Sequence, residues 1–419
     1  MRYNAIISEA INDRASCQSG KTSKVAWQFA RSSASSTELP LYLAFNYQVI
    51  LEDAISKINQ FSNNFGKQLN LINTKKGRVV DSQRVGLPRL EDILSSTGKL
   101  EQDRNWDYGP TGLIGLSNHY SLKRYYFCLG MVKNSSIKTP CWIDEGDPFE
   151  LGFQKHVEHK SSRTGVFGAS ATNRTLSEMI KQDLFSEVNL VSATNIGIGI
   201  SDIYFTKVEI ITPGSTYTNK HEYFIVDETD IKSLEEGKIT PRIKEFMDLI
   251  DNNLMINICQ TIECHEAIGK AFKNNEEWNF YEVNMHNHLN VEELKKGKNV
   301  IAGGRMFGRG ATFPRVEGLI FDKPTSHSTN LIQAVGRAHG YDKSYTPIIA
   351  CTEAQKNKLE AAYEFEAQVS SIDTMELPPE RRHNKIMQIK VPNTGLIILP
   401  QKNNGWRQVN RKTGSSITK

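Results

Sequence analysis

The chain has 419 residues, of which 38% are hydrophobic and 23% charged, and a formal net charge of +4; that length holds two or three domains with full cores. This is the composition of a soluble globular protein and excludes low-complexity and disulfide-framework classes. A charge of +4 can be spread evenly over a surface, so it permits nucleic-acid binding without requiring it.

No apolar run reaches the roughly 18 residues of a membrane helix, and Met1 to Glu9 lack the apolar core of a signal peptide. The expectation is a protein inside the cell with no membrane partner. The six cysteines form no CxxC pair, which suits a reducing compartment. Cys259, Cys264 and His265 read as core positions beside a strand and a helix rather than as metal ligands.

Taken in order, the first informative stretch is Ala15-Ser16-Cys17-Gln18-Ser19-Gly20-Lys21-Thr22. It reads as a phosphate-binding loop: backbone N–H groups cradle a di- or triphosphate, Lys21 reaches the β- and γ-phosphates, and the Thr22 hydroxyl meets Mg²⁺. Gln18, Ser19, Gly20, Lys21, Thr22 and Ser23 are thus the nucleotide-binding residues. Ser23 to Ala30 form the helix whose N-terminus faces the phosphates. Before the loop only Ile6, Ile7 and Ile11 are strongly apolar, so no feeding strand stands out.

Leu41 to Phe45 is a short apolar run of the kind found in strands buried on both faces. Val49, Ile50, Ala54, Ile55, Ile58 and Phe61 then recur at helical spacing. Strands are predicted at 69–72 and 112–116, a helix at 89–96, and another through Leu122, Tyr125, Leu129 and Val132. Thr139 to Ile143 is an apolar strand that runs into Asp144-Glu145-Gly146-Asp147, placing carboxylates at the carboxyl edge of a parallel sheet, where ligands bind. A further strand, 164–172, ends in Ser170-Ala171-Thr172.

Between about 195 and 240 the pattern turns Gly-, Thr- and Asn-rich. A second α/β series follows, with strands at 254–258, 299–303, 318–322 and 346–351 and helices at 264–272, 329–338 and 353–369. The domains are therefore read as 1–200, 201–375 and a basic extension, 376–419, whose Lys and Arg residues with Trp406 suit a nucleic-acid contact or a solvated terminus.

Order makes these segments specific. The first half supplies SGKT, DEGD and SAT; the second supplies Gly303 to Thr312, with Arg309, and Gln333-Ala334-Val335-Gly336-Arg337-Ala338-His339-Gly340-Tyr341. Over residues 12–350 this series resembles the superfamily 2 helicases of the DEAD-like type, and the QSGKT, GRG-T and GR-x-x-GY blocks are most similar to the Z-one domain ATPases. The resemblance implies an α/β fold of two RecA-like parallel-sheet domains with an ATP cleft between them, and a nucleic-acid strand, DNA or RNA, as partner.

It also implies roles. Asp144 holds Mg²⁺ with Thr22, and Glu145 orients and deprotonates the attacking water. Asp147 bonds to the Ser170 and Thr172 strand, which relays nucleotide state. Arg309 and Arg337 act as arginine fingers, and Gln333, one turn before Arg337, meets the γ-phosphate or the water. Gly340 stands where the family carries a further arginine. The expected function is an ATP-dependent helicase or translocase, with a protein partner as one source of specificity. Two alternatives stand beside it: an ATP-regulated nucleic-acid-binding scaffold without unwinding, and a P-loop phosphotransferase.

Overall fold

The computed structural model describes residues 2–8, 10–11, 14–15, 17–35, 37–44, 48–65, 69–73, 111–117, 122, 125–126, 129–130, 132–133, 136–145, 179–180, 182–192, 206–258, 262–273, 275–283, 294, 296–303, 316–322, 328–341, 345–373, 375–390, 394, 397–401, 405–409 and 416–417. By contacts it divides into two units. The first comprises Met1–Ile7, Gly20–Ser192 and Ile198–Glu209, and the second Ser8–Ser19, Ala193–Gly197 and Ile210–Lys419.

The first unit is built on short strands: β1 (Arg2–Ser8), β4 (Leu41–Ala44), β5 (Asn70–Asn73), β6 (Thr111–Leu116), β7 (Pro140–Ile143), β8 (Glu187–Ser192) and β9 (Lys207–Ile211). They form one sheet in the order β5-β6-β4-β7-β8-β1-β9, and the pairings from β5 through β1 are all parallel. Helix α1 (Lys21–Ser33) lays Val25, Ala26, Phe29 and Ala30 on this sheet. Phe29 meets Tyr42 and Trp142 edge-on, at 5.7 and 6.1 Å between ring centroids. Burying a side chain of this size stabilises by roughly 1.5–3 kcal/mol. Gly112 makes the contact feasible, because a Cβ there would overlap Phe29 and Ser33. Helix α2 (Gln48–Asn64) follows β4.

The feeding strand that hydropathy does not reveal is β1. Its partner β8 explains why: Asn4 is buried and its amide donates to Asn189 Oδ1 at 3.1 Å and to Glu187 Oε1 at 3.0 Å. A strand whose inward polar groups are paired by polar neighbours carries a weak hydrophobic signature.

After β1 the chain enters the second unit as a hairpin, β2 (Ala10–Ile11) with β3 (Arg14–Ala15). The second sheet contains β10 (Glu222–Ile225), β11 (Asn253–Asn257), β12 (Trp278–Val283), β13 (Lys298–Gly303), β14 (Gly318–Phe321) and β15 (Ile348–Cys351). All pairings in its order β10-β15-β14-β11-β13-β12 are parallel. Its helices are α3 (Glu228–Glu235), α4 (Pro241–Asp248), α5 (Ile262–Lys273), α6 (Ser328–Val335), α7 (Glu353–Asp373) and α8 (Pro379–Met387). The hairpin packs against α7. Ile243, Phe246, Ile250, Leu254, Ile268 and Phe272 belong to the core between sheet and helices.

The region 195–240, read as a junction, carries the crossing from the first unit to the second, between Glu209 and Ile210, together with β9, β10 and α3. Three other sequence expectations change. The helix expected at 329–338 stops at Val335 and tightens into a 3-10 turn, Gly336–Ala338, as glycine and a helix end favour. Residues 397–417 include a three-stranded antiparallel sheet, Ile397–Gln401, Gly405–Val409 and Ser416–Ile417. Among the described cysteines, Cys17, Cys141 and Cys351 are in no disulfide, whereas Cys264 is disulfide-bonded, against the expectation of reduced thiols. His265 is buried and faces Glu282, with Nδ1 3.4 Å from Oε1.

Candidate nucleotide site

In the first unit the loop and the carboxylate strand meet at Asp144. Its backbone N–H still donates to Leu43 O in the ladder with β4, at 2.9 Å, which fixes the residue at the carboxyl end of β7. Its side chain is 3% exposed. Oδ2 accepts from Thr22 Oγ1 at 3.0 Å and from the Tyr42 hydroxyl at 2.8 Å, and Oδ1 accepts from Glu145 N at 3.0 Å. Burial, with the charge of Asp144 adding to it, raises Tyr42 well above the ordinary phenol range, so its proton stays in place as a donor.

Glu145 has φ 51, a left-handed conformation for a residue with a side chain. Such a conformation costs on the order of 1–3 kcal/mol and persists only where the surroundings hold it; the bond from its own N–H to Asp144 is one such restraint.

Gly20 precedes α1 with φ 92, where glycine is the residue without a steric penalty. Lys21 opens the helix and is 7% exposed. Among the described residues no carboxylate pairs with it, so its ammonium lies buried at a helix N-terminus, an environment suited to an anion. Lys24, one turn on, forms an ion pair with Glu209.

The strand between β1 and β7 supplies a residue that the sequence reading passed over. β8 pairs Leu190 with Ile143 and Ser192 with Ile7, so Ser192 ends at the same sheet edge as Asp144. Ser192 is 1% exposed and begins a second Ser-Ala-Thr triplet, Ser192-Ala193-Thr194. The repeated triplet is itself the sequence signal for this residue. Ser170, Thr172, Asp147 and Arg309 lie outside the described residues.

The second unit holds the residues that lead into the loop. Gln18 Nε2 donates to Gly336 O at 3.1 Å and Arg337 O at 3.0 Å. Cys17 Sγ donates to Ile332 O at 3.7 Å, and Cys17 O accepts from the Tyr217 hydroxyl. The Tyr341 hydroxyl donates to Ser19 O at 3.0 Å and accepts from Gly214 N at 3.1 Å. Gln333 and Arg337 are both buried, at 1% and 7% exposure. His339 then stacks on His221, with ring nitrogens 3.1 Å apart. The structure therefore brings Thr22, Asp144 and Glu145 together in one unit, and Gln18, Ser19 and Arg337 in the other.

No family model matches the chain, and no curated protein does. Among solved structures the chain is similar to the ATP-dependent Type ISP restriction-modification enzyme LlaBIII bound to DNA. The TM-score is 0.52 with 11% identity, over 92% of this chain and 31% of that one, so this chain spans about a third of that enzyme's length. It is also similar to a DEAD box protein from the hyperthermophile Methanococcus jannaschii (TM-score 0.43, 13% identity, 86% of this chain and 85% of that one). Dbp5 of S. cerevisiae bound to RNA and ADP BeF3 is a third (TM-score 0.46, 11% identity, 92% and 89%). The likeness to the restriction-modification enzyme, together with the two parallel sheets, shows an α/β fold of two RecA-like domains.

Proposed function

Starting from a superfamily 2 helicase fold, we propose that this chain binds and hydrolyses ATP and couples turnover to movement along nucleic acid, as a helicase or translocase. The observation that carries the reading is the hydrogen bond from Thr22 to Asp144. A hydroxyl at the start of a helix and a carboxylate at a strand end are oxygen donors of the kind that hold Mg²⁺ with few protein ligands and several phosphate or water oxygens. Thr22 and Asp144 would hold that ion, which when bound screens the phosphate charge.

Lys21 binds the β- and γ-phosphates from the N-terminus of α1. Glu145 orients the water and takes its proton. Phosphoryl transfer asks mainly for positioning and charge stabilisation, and in this reading Arg337, Arg309 and Gln333 supply the latter. Ser192 and, from the sequence, Asp147, Ser170 and Thr172 are candidates for relaying nucleotide state. The nucleic acid is DNA or RNA with a single-stranded region, and a protein partner is one source of specificity.

A second reading, an ATP-regulated nucleic-acid-binding scaffold, rests on Gly340. Its φ of 148 and its buried, doubly hydrogen-bonded backbone disfavour the second arginine that unwinding enzymes of the resembling family carry. ATP hydrolysis measured alone and with single-stranded DNA, duplex DNA and RNA separates the two. Stimulated turnover supports the first reading, and binding without turnover supports the second.

A further inference from the structure

Gln18 belongs by sequence to the phosphate loop, yet its side chain is spent elsewhere. Each of the two protons on Nε2 has a carbonyl partner, Gly336 O at 3.1 Å and Arg337 O at 3.0 Å. Gly336 O also accepts locally from His339 N at 3.1 Å; carbonyls at the end of a helix rely on donors from outside the helix, and this amide adds one from a distant part of the chain. We propose that Gln18 is a positioning residue for Arg337, setting the arginine turn while the loop beyond it binds phosphate. This proposal rests on the ATPase reading above.

Three further features make the contact a built one. Gln18 has φ 58, a left-handed conformation that costs on the order of 1–3 kcal/mol without glycine and is retained because both neighbours are clamped. Cys17 is held through its carbonyl by Tyr217 and through its thiol by Ile332 O, and Ser19 is held through its carbonyl by Tyr341. Gly336 completes the fit, because a Cβ there would overlap the Cys17 side chain.

Residues 17–19 and the turn 336–338 therefore make one body in the second unit, and the chain runs from Ser19 straight into Gly20-Lys21-Thr22. A displacement of the loop is transmitted through a covalent link and two hydrogen bonds to the backbone that carries Arg337. The same geometry explains why an acid would be excluded at position 18: a carboxylate would face two carbonyl oxygens at the negative end of a helix.

The test compares Gln18→Ala and Gln18→Glu with the wild type, alone and combined with Arg337→Ala. Both Gln18 variants are expected to lower kcat at least tenfold, with affinity for a non-hydrolysable ATP analogue within twofold of wild type. In the Arg337→Ala background, Gln18→Ala should cost less than a further twofold, since the residue acts through the arginine. Parallel loss of nucleotide affinity, or full multiplicative losses in the double variant, would overturn the proposal.

A second measurement does not depend on turnover. Amide hydrogen exchange at 336–341 should accelerate in Gln18→Ala whether or not ATP is hydrolysed, and unchanged protection would also overturn the proposal. A wild type without ATP turnover, but with accelerated exchange in the variant, would instead contradict the ATPase reading and leave the capping contact standing.

Discussion

Thr22, in the first turn of α1, and Asp144, just past the end of β7, share a 3.0 Å hydrogen bond although 122 residues separate them. Tyr42 on β4 closes the arrangement by donating to the same carboxylate oxygen. The three groups come from a helix start and two adjacent strands of one sheet, so their spacing is fixed by the core beneath them. Asp144 is thereby aimed before any ligand arrives, and the proposed mechanism gives the adjacent residue, Glu145, the attacking water.

Glu145→Gln should lose hydrolysis while keeping nucleotide binding. The amide preserves size and the strained backbone but cannot accept a proton. The check is single-turnover hydrolysis beside equilibrium binding of an ATP analogue. Equal losses in both would make Glu145 a structural or ion-holding residue.

Arg337→Ala and Arg309→Ala should each lower kcat far more than KM, because the lost interaction belongs to the transition state. Established arginine fingers contribute on the order of 10³ to 10⁵ in kcat. The Arg337 loss should be the larger, as Gly340 leaves no second arginine on its own segment. Steady-state kinetics with both variants within twofold of wild type would remove the arginines from the mechanism.

Restoring an arginine by Gly340→Arg should not raise the rate. Gly340 has φ 148 and exchanges hydrogen bonds with Thr218 in both directions, at 3.0 and 3.1 Å. A side chain there meets a backbone conformation suited to glycine, with a cost on the order of 1–3 kcal/mol. The readout is the urea midpoint, expected to fall, together with kcat, expected not to rise.

Much of the frame is legible from the sequence because the chemistry is local. The loop before α1 is a contiguous string, and Leu41 to Ala44 and Pro140 to Ile143 are apolar runs that read as buried strands. Non-local pairings are not legible. β1 escapes because Asn4 is matched by Asn189 and Glu187, and Asn253 and Asn299 form a similar buried pair in the second sheet, at 3.0 Å. The grouping of residues 8–19 with the second unit depends on Tyr217, Ile332 and Gly336, which lie some 200 to 320 residues away along the chain. Ser192 is obscured for a different reason: an identical Ser-Ala-Thr triplet stands at 170–172.

The pH dependence of stability has one separable contribution. Burial pushes the Asp373 carboxyl up to about 6, although Arg382 pairs with it and opposes the shift. A carboxyl raised in the fold gives stability that is fully present below its unfolded value and is lost as pH rises through about 6. Asp373→Asn cannot ionise, so its stability relative to wild type should improve between pH 4.5 and pH 7. Urea titrations at the two values measure this, and a difference that is flat or reversed in sign would show that the Arg382 pairing outweighs burial.

If Lys21 anchors a nucleotide that this chain hydrolyses, phosphate release from ATP depends on it. Release measured for wild type and Lys21→Ala, with and without single-stranded nucleic acid, should show turnover in the wild type, stimulated by the strand, and its abolition in a Lys21→Ala variant that keeps the wild-type unfolding midpoint. Near-normal kcat in that variant, or no hydrolysis by the wild type under any of these conditions, would contradict it.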